Sequence, residues 1–126
     1  MLRLLLIVLL SLPLIACSTC SAPSAPDKPE EAVKAYFSAL EKSDCKSLRE
    51  AAGAELGERI DKNGCDAALD DYRKHGLRLV RVEGVVPDGR NPAVMLARVV
   101  ILRDGKEALV ILRVEKESSR WKLASL

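Results

Sequence analysis

Eight side chains give this chain its chemical options: four cysteines, Cys17, Cys20, Cys45 and Cys65, together with Asp44, Tyr36, Tyr72 and the single histidine, His75. Cys17-x-x-Cys20 has the spacing of a redox dithiol, a chemistry that normally sits in a βαβ framework absent from this sequence. Cys45 and Cys65 admit either a disulfide or metal ligation, and only His75 is available to join them as a ligand. Asp44, Tyr36, Tyr72 and His75 are the candidates for proton transfer. An acid or base needs burial or charged neighbours to bring its pKa into a useful range, and each of these has a simpler use. Asp44 suits a helix cap, the two tyrosines suit core positions with wet hydroxyls, and His75 suits the negative end of a helix dipole. There is no phosphate-cradling glycine-rich loop and no metal-ligand spacing. Catalytic residues, a metal and a cofactor are therefore not expected, and neither is an enzyme.

The N-terminus carries the most specific motif. Arg3 supplies a positive start, Leu4 to Leu12 is an apolar run with one serine, and Pro13 precedes a region of small residues, which is signal-peptide architecture. The apolar run is short for a bilayer span. Leu14-Ile15-Ala16-Cys17 looks like a lipobox, in which the cysteine receives diacylglycerol and the chain is cleaved before it. Residues 1–16 are thus expected to be a lipoprotein signal and Cys17 the lipid attachment site. Two or three acyl chains suffice for stable anchoring where one does not. Lipidation removes the dithiol option, because Cys17 becomes a thioether. Ser18 follows it, and the resemblance to lipoproteins of two-membrane bacteria without Asp at that place implies the outer membrane, facing the periplasm.

Residues 17–28 read as a lipidated flexible tether, small and polar with prolines and without periodicity. Eleven extended residues reach about 35 Å, enough to hold a domain clear of the bilayer. Export places the remaining thiols in an oxidising compartment. A Cys45–Cys65 disulfide is then expected, with Cys20 left as the odd thiol.

The balance of the chain bounds what it can bind. A formal charge of +2 falls to near +1 once Arg3 leaves with the signal, and acids and bases are interspersed. No electrostatic case for nucleic acid follows. Aromatic residues make up 3% of the chain against 48% apolar residues overall, so base-stacking platforms are not expected. The core must be aliphatic.

Residues 29–126 read as one domain with a two-part plan. Pro29, Glu30 and Glu31 open a helix, in which Ala32, Val33, Tyr36, Phe37 and Leu40 form one stripe while Lys34, Ser38, Glu41 and Lys42 face outward. Asp44 is placed to cap a short helix from Cys45 to about Ala52. Gly53 and Gly57 predict an irregular stretch, and a third helix is expected from Cys65 to Lys74, ending at His75-Gly76. The period then changes to two. Segments 77–86, 93–103, 107–117 and 120–126 predict four antiparallel strands. Asp104-Gly105 is a two-residue hairpin signal, and it would set Ile101 opposite Ala108, Val99 opposite Val110, Ala97 opposite Leu112 and Met95 opposite Val114. That face is wholly apolar, as a sheet covered by helices requires. On the other face, Val100 with Leu109, Arg98 with Ile111 and Leu96 with Arg113 mix apolar and charged side chains, flanked by Glu107 and Glu115. Two readings stand here: a protein-protein surface built from Leu96, Arg98, Val100, Leu109, Ile111 and Arg113, or a face covered by the C-terminal tail or a loop.

The fold class expected is α+β, three N-terminal helices packed on a curved four-stranded antiparallel sheet. With its Pro29-Glu30-Glu31-Ala32-Val33 opening, Ala39-Leu40-Glu41-Lys42-Ser43-Asp44 and a closing Arg120-Trp121-Lys122-Leu123, this plan resembles the nuclear transport factor 2-like, or cystatin-like, superfamily over residues 29–126. The nearest look-alikes are domains of unknown function in bacterial lipoproteins. The resemblance implies a cone-shaped sheet around the long helix, often a dimer through the sheet, sometimes a pocket at the open end, and no single function. The leading expectation is an envelope lipoprotein whose domain is a non-enzymatic binding or assembly module, pairing with itself or with an envelope protein through the sheet. A carrier of a small apolar ligand, held in a cavity between helix one and the sheet, is the alternative. An isomerase- or cyclase-like enzyme ranks below both.

Overall fold

The computed structural model describes residues 27–126. The signal segment, the lipid-attachment residue Cys17 and Cys20 lie outside the described residues. The chain there is α+β, with four helices followed by an open four-stranded antiparallel sheet of order β1-β2-β3-β4.

Helix α1 (Pro29–Glu41) has Pro29 at its start and Glu30 and Glu31 in its first turn, a composition favourable to the positive end of the dipole. Its stripe Ala32, Val33, Tyr36, Phe37 and Leu40 is buried, as the spacing requires. The helix lies across the sheet and touches all four strands. Helix α2 (Cys45–Ala51) is capped by Asp44, whose carboxylate accepts from the Ser47 N–H at 3.1 Å and the Ser47 hydroxyl at 2.7 Å.

The stretch after Gly53 is a helix and not an irregular segment. Helix α3 (Ala54–Asn63) buries Leu56, Gly57 and Ile60, and two long-range contacts explain why its local sequence conceals it. Gly53 offers no capping side chain, so Glu117 of the third strand supplies the acceptor, taking the Ala54 N–H at 2.8 Å. Gly57, which costs helix propensity, leaves room for Arg49 to cross α3 and pair with Asp61 at 2.9 Å. Helix α4 (Cys65–His75) ends at Gly76 with its last turn basic in Arg73, Lys74 and His75.

Strands β1 (Arg78–Pro87), β2 (Val94–Arg103), β3 (Lys106–Glu117) and β4 (Arg120–Ser125) follow. Asp104 and Gly105 both have positive φ, 50° and 76°, the geometry of the tight hairpin turn. The β2–β3 register is the one that this turn dictates, from Arg103 opposite Lys106 to Val94 opposite Glu115. Strand β1 departs from strict alternation. Two bulges, between Leu79 and Arg81 and between Val82 and Gly84, bring Leu79, Val82 and Val85 to the core at every third residue. Bulges bend a strand, raise its twist and blunt an exposed edge. The opposite edge, β4, is covered: Ala52 bridges Leu123, and the Gly53 N–H donates to the Leu123 carbonyl at 2.7 Å.

Cys45 and Cys65 form a disulfide across a sequence separation of 20 residues, tying the first residue of α2 to the first residue of α4. Closing a loop of that length constrains the unfolded chain by about 3 kcal/mol. Reduction, or a Cys45→Ser/Cys65→Ser double substitution, is expected to lower the denaturant-derived unfolding free energy by about 3 kcal/mol. An unchanged unfolding midpoint after verified reduction would contradict this role.

Candidate functional site

The outer face of the sheet carries the most conspicuous unsatisfied surface. Every second residue of β2 and β3 points away from α1, and with the register fixed, Val100 stands beside Leu109, Arg98 beside Ile111 and Leu96 beside Arg113. Leu109 is 52% and Ile111 64% exposed. Val80 and Val86 of β1 are also large and exposed. The second β1 bulge returns Val86 to the outer face opposite Leu96, and Val80 lies in the first bulge, beside Arg81 and Val100. These two were missed in the sequence because a period of two assigns the wrong phase to a bulged strand.

The six residues expected on this surface do not all reach it. Arg98 and Arg113 are exposed and Leu96 is half-buried, but Val100 is only 5% accessible. It sits on a central strand between Arg81 and Leu109, so it belongs to the floor of the patch and not to its contact surface. Charges fringe the apolar residues. Arg113 pairs with Glu115 at 2.8 Å, and Arg81 pairs with Glu83 at 3.0 Å and approaches Glu107 at 4.0 Å, a link from β1 to β3 across β2. Exposed pairs of this kind contribute little stability. Their effect is to hold the guanidinium groups beside carboxylates around the apolar centre.

None of the four candidates for proton transfer is hydrogen-bonded to another among the described residues. Asp44 is fully engaged in capping α2, and its hydrogen bonds from Ser47 hold its carboxyl below the usual carboxylate range. His75 bridges two carboxylates, with Nδ1 3.1 Å from Asp104 and Nε2 3.5 Å from Asp71, while the Asp104 N–H donates to the His75 carbonyl at 2.7 Å. This histidine pins the hairpin turn to the end of α4. Tyr72 lines an open cavity of about 330 Å³ between α1, α4 and β1, with Phe37, Glu41 and Arg78 among its walls.

Tyr36 opens onto a different cavity. About 270 Å³ lies among α1, α3 and α4, walled by Leu40, Leu56 and Ile60, with Leu77 and Leu126 at the sheet side and Arg59 and Asp71 as its charged groups. A cavity for a small apolar ligand was expected between α1 and the sheet, which is the place of the Tyr72 cavity; this one lies among the helices. Arg59 could not be assigned to it from the sequence, since α3 was not legible there. Burial pushes the Tyr36 phenol up to about 12, with Arg59 opposing and Asp71 adding to the rise.

Among the described residues, no group of three or more His, Cys, Asp or Glu side chains is arranged to hold a metal ion, and no helix is long and apolar enough to cross a membrane. No protein-family model matches the chain, and a search of curated proteins finds no match.

The Tyr36 environment makes an alkaline prediction. A phenol with an ordinary value of 10.0 in the unfolded chain and about 12 in the fold binds more protons folded than unfolded between those values. Its contribution is therefore fully present below pH 10 and lost as pH rises toward 12, on the order of 3 kcal/mol in all. In a Tyr72→Phe background, phenolate absorbance should appear only near pH 12, and the unfolding free energy should fall between pH 10 and pH 12. Full phenolate formation in still-folded protein near pH 10 would contradict the burial.

Proposed function

We propose that the chain is a bacterial envelope lipoprotein, cleaved before Cys17 and anchored there by lipid, whose α+β domain is a non-enzymatic assembly module that pairs with a second copy through the outer sheet face. The observation that carries this reading is the concentration of exposed large apolar side chains on that one face. Val80, Val86, Leu109 and Ile111 are all of those found among the described residues apart from the C-terminal Leu126. Monomeric proteins rarely leave such residues contiguous, and a patch rimmed by polar groups marks an interaction surface.

A second copy is the occupant that the charges favour. Arg81, Arg98 and Arg113 stand among Glu83, Glu107 and Glu115 on the same face. A surface of mixed sign can meet itself about a two-fold axis without like charges dominating. Lipid anchoring strengthens the argument, because tethering to one membrane raises the effective concentration of the domains and lets a weak contact persist. A fixed envelope protein in place of the second copy is the outcome that a strictly monomeric domain with a stoichiometric companion would give.

The domain itself we assign to the nuclear transport factor 2-like superfamily, with the sheet wrapped around α1 as a cone. The helix that contacts all four strands and the two bulges of β1 support that shape, and dimers through the sheet are common in the superfamily. The proposed location is the outer membrane, facing the periplasm, with no nucleic acid among the partners.

Two measurements test this reading. Protein extracted from membranes without reductant should have a mass starting at Cys17 with acyl chains added, and Cys17→Ser should abolish the acylation; an unmodified mass would sink the anchoring. In sedimentation equilibrium, the chain should self-associate, and Leu109→Lys should weaken that association at least tenfold while circular dichroism stays unchanged. Association that Leu109→Lys leaves intact would remove the sheet face from the account.

A further inference from the structure

The cavity among α1, α3 and α4 holds two hydrogen-bond donors, Tyr36 and Arg59, that no side-chain hydrogen bond or ion pair among the described residues engages. Tyr36 is 1% exposed, yet its hydroxyl takes part in none of the side-chain hydrogen bonds among the described residues. Buried phenols ordinarily find a partner. The Tyr36 hydroxyl is not sealed off either, since no fully enclosed side-chain polar atom lacks a partner and Tyr36 lines the cavity. Arg59 lines the same space and forms no ion pair within 4.0 Å among the described residues. Its guanidinium is close enough to act on the phenol electrostatically.

We propose that this cavity binds a small monocarboxylate with an apolar body, the carboxylate accepting hydrogen bonds from the Tyr36 hydroxyl and the Arg59 guanidinium and the hydrocarbon lying against Leu40, Leu56 and Ile60. Both donors call for an acceptor, and a charged acceptor makes the stronger bond to each. Asp71, the other charged side chain on the wall, stands 3.5 Å from His75 Nε2 and opposes each negative charge brought in, a dianion twice over. A monoanion is thereby selected over a dianion. A volume of about 270 Å³ falls just below the range of pockets for drug-sized ligands, which limits the ligand to roughly ten heavy atoms. The inference goes beyond sheet-face assembly and does not depend on it, since no residue of the outer patch lines the cavity.

The test is titration of the full chain with 3-phenylpropionate, followed by calorimetry and by amide chemical shifts. Saturable binding is expected, with shifts centred on Tyr36, Ile60 and Ala67. The neutral 3-phenylpropanol and pimelate, a dianion of the same heavy-atom count as 3-phenylpropionate, should each bind at least tenfold more weakly. Tyr36→Phe and Arg59→Gln should each weaken 3-phenylpropionate binding about tenfold, which corresponds to about 1.4 kcal/mol. Arg59 is exposed, so Arg59→Gln retains the fold even if Tyr36→Phe perturbs it. No saturable binding, equal binding of the alcohol, or affinity unchanged in Arg59→Gln would each overturn the proposal.

Discussion

The pairing of β2 with β3 is the constraint on which the rest of the molecule depends. Side chains on a strand alternate between faces, so a slip of one residue would exchange the two faces entirely. Asp104 and Gly105 remove that freedom, because a two-residue turn with both φ values positive admits one register. With that register, Ala97, Val99, Leu112 and Val114 meet α1 in the core, and Leu109 and Ile111 are left on the other side. The core and the proposed interface are two consequences of one turn. The turn is itself held, since His75 clasps Asp104 through both backbone and side chain.

Around this hairpin the helical layer is fastened by long-range contacts. The Cys45–Cys65 bridge fixes the starts of α2 and α4. Glu117 of β3 caps α3, and the Gly53 N–H closes the edge of β4. Arg49 reaches over Gly57 to Asp61. Each of these ties a helix end or a sheet edge to a residue distant in sequence, and together they bring α3 against α4 so that Tyr36 and Arg59 line the same cavity.

This arrangement explains what could be read from the residues alone. The stripe of α1, the Asp44 cap, the hairpin turn and the four strands rest on local periodicity or local turn chemistry, and their positions follow from the sequence. Helix α3 does not, because its cap is a glutamate 63 residues away and its glycine makes sense only beneath Arg49. The first bulge of β1 leaves no local mark, and the second is hinted at only by Gly84 inside the strand pattern, so the exposure of Val80 and Val86 was hidden, as was the covering of Val100. The cavity was partly legible: Tyr36 was placed on the buried stripe, but its neighbour Arg59 lies on the helix that local signals conceal. The lipobox at Cys17 is a strong motif whose reading stands on sequence chemistry and lies outside the described residues.

Sheet-face assembly and the hairpin register can be tested together by thiol labelling of single cysteines placed on neighbouring positions of β3. In a Cys20→Ser background, Ile111→Cys should react quickly in dilute protein, slow down as concentration rises, and recover when Leu109→Lys is added. Leu112→Cys, one residue along and 3% exposed in the parent, should react slowly at every concentration. Fast labelling at 112 would contradict the register, and a rate at 111 that does not change with concentration would contradict assembly through this face.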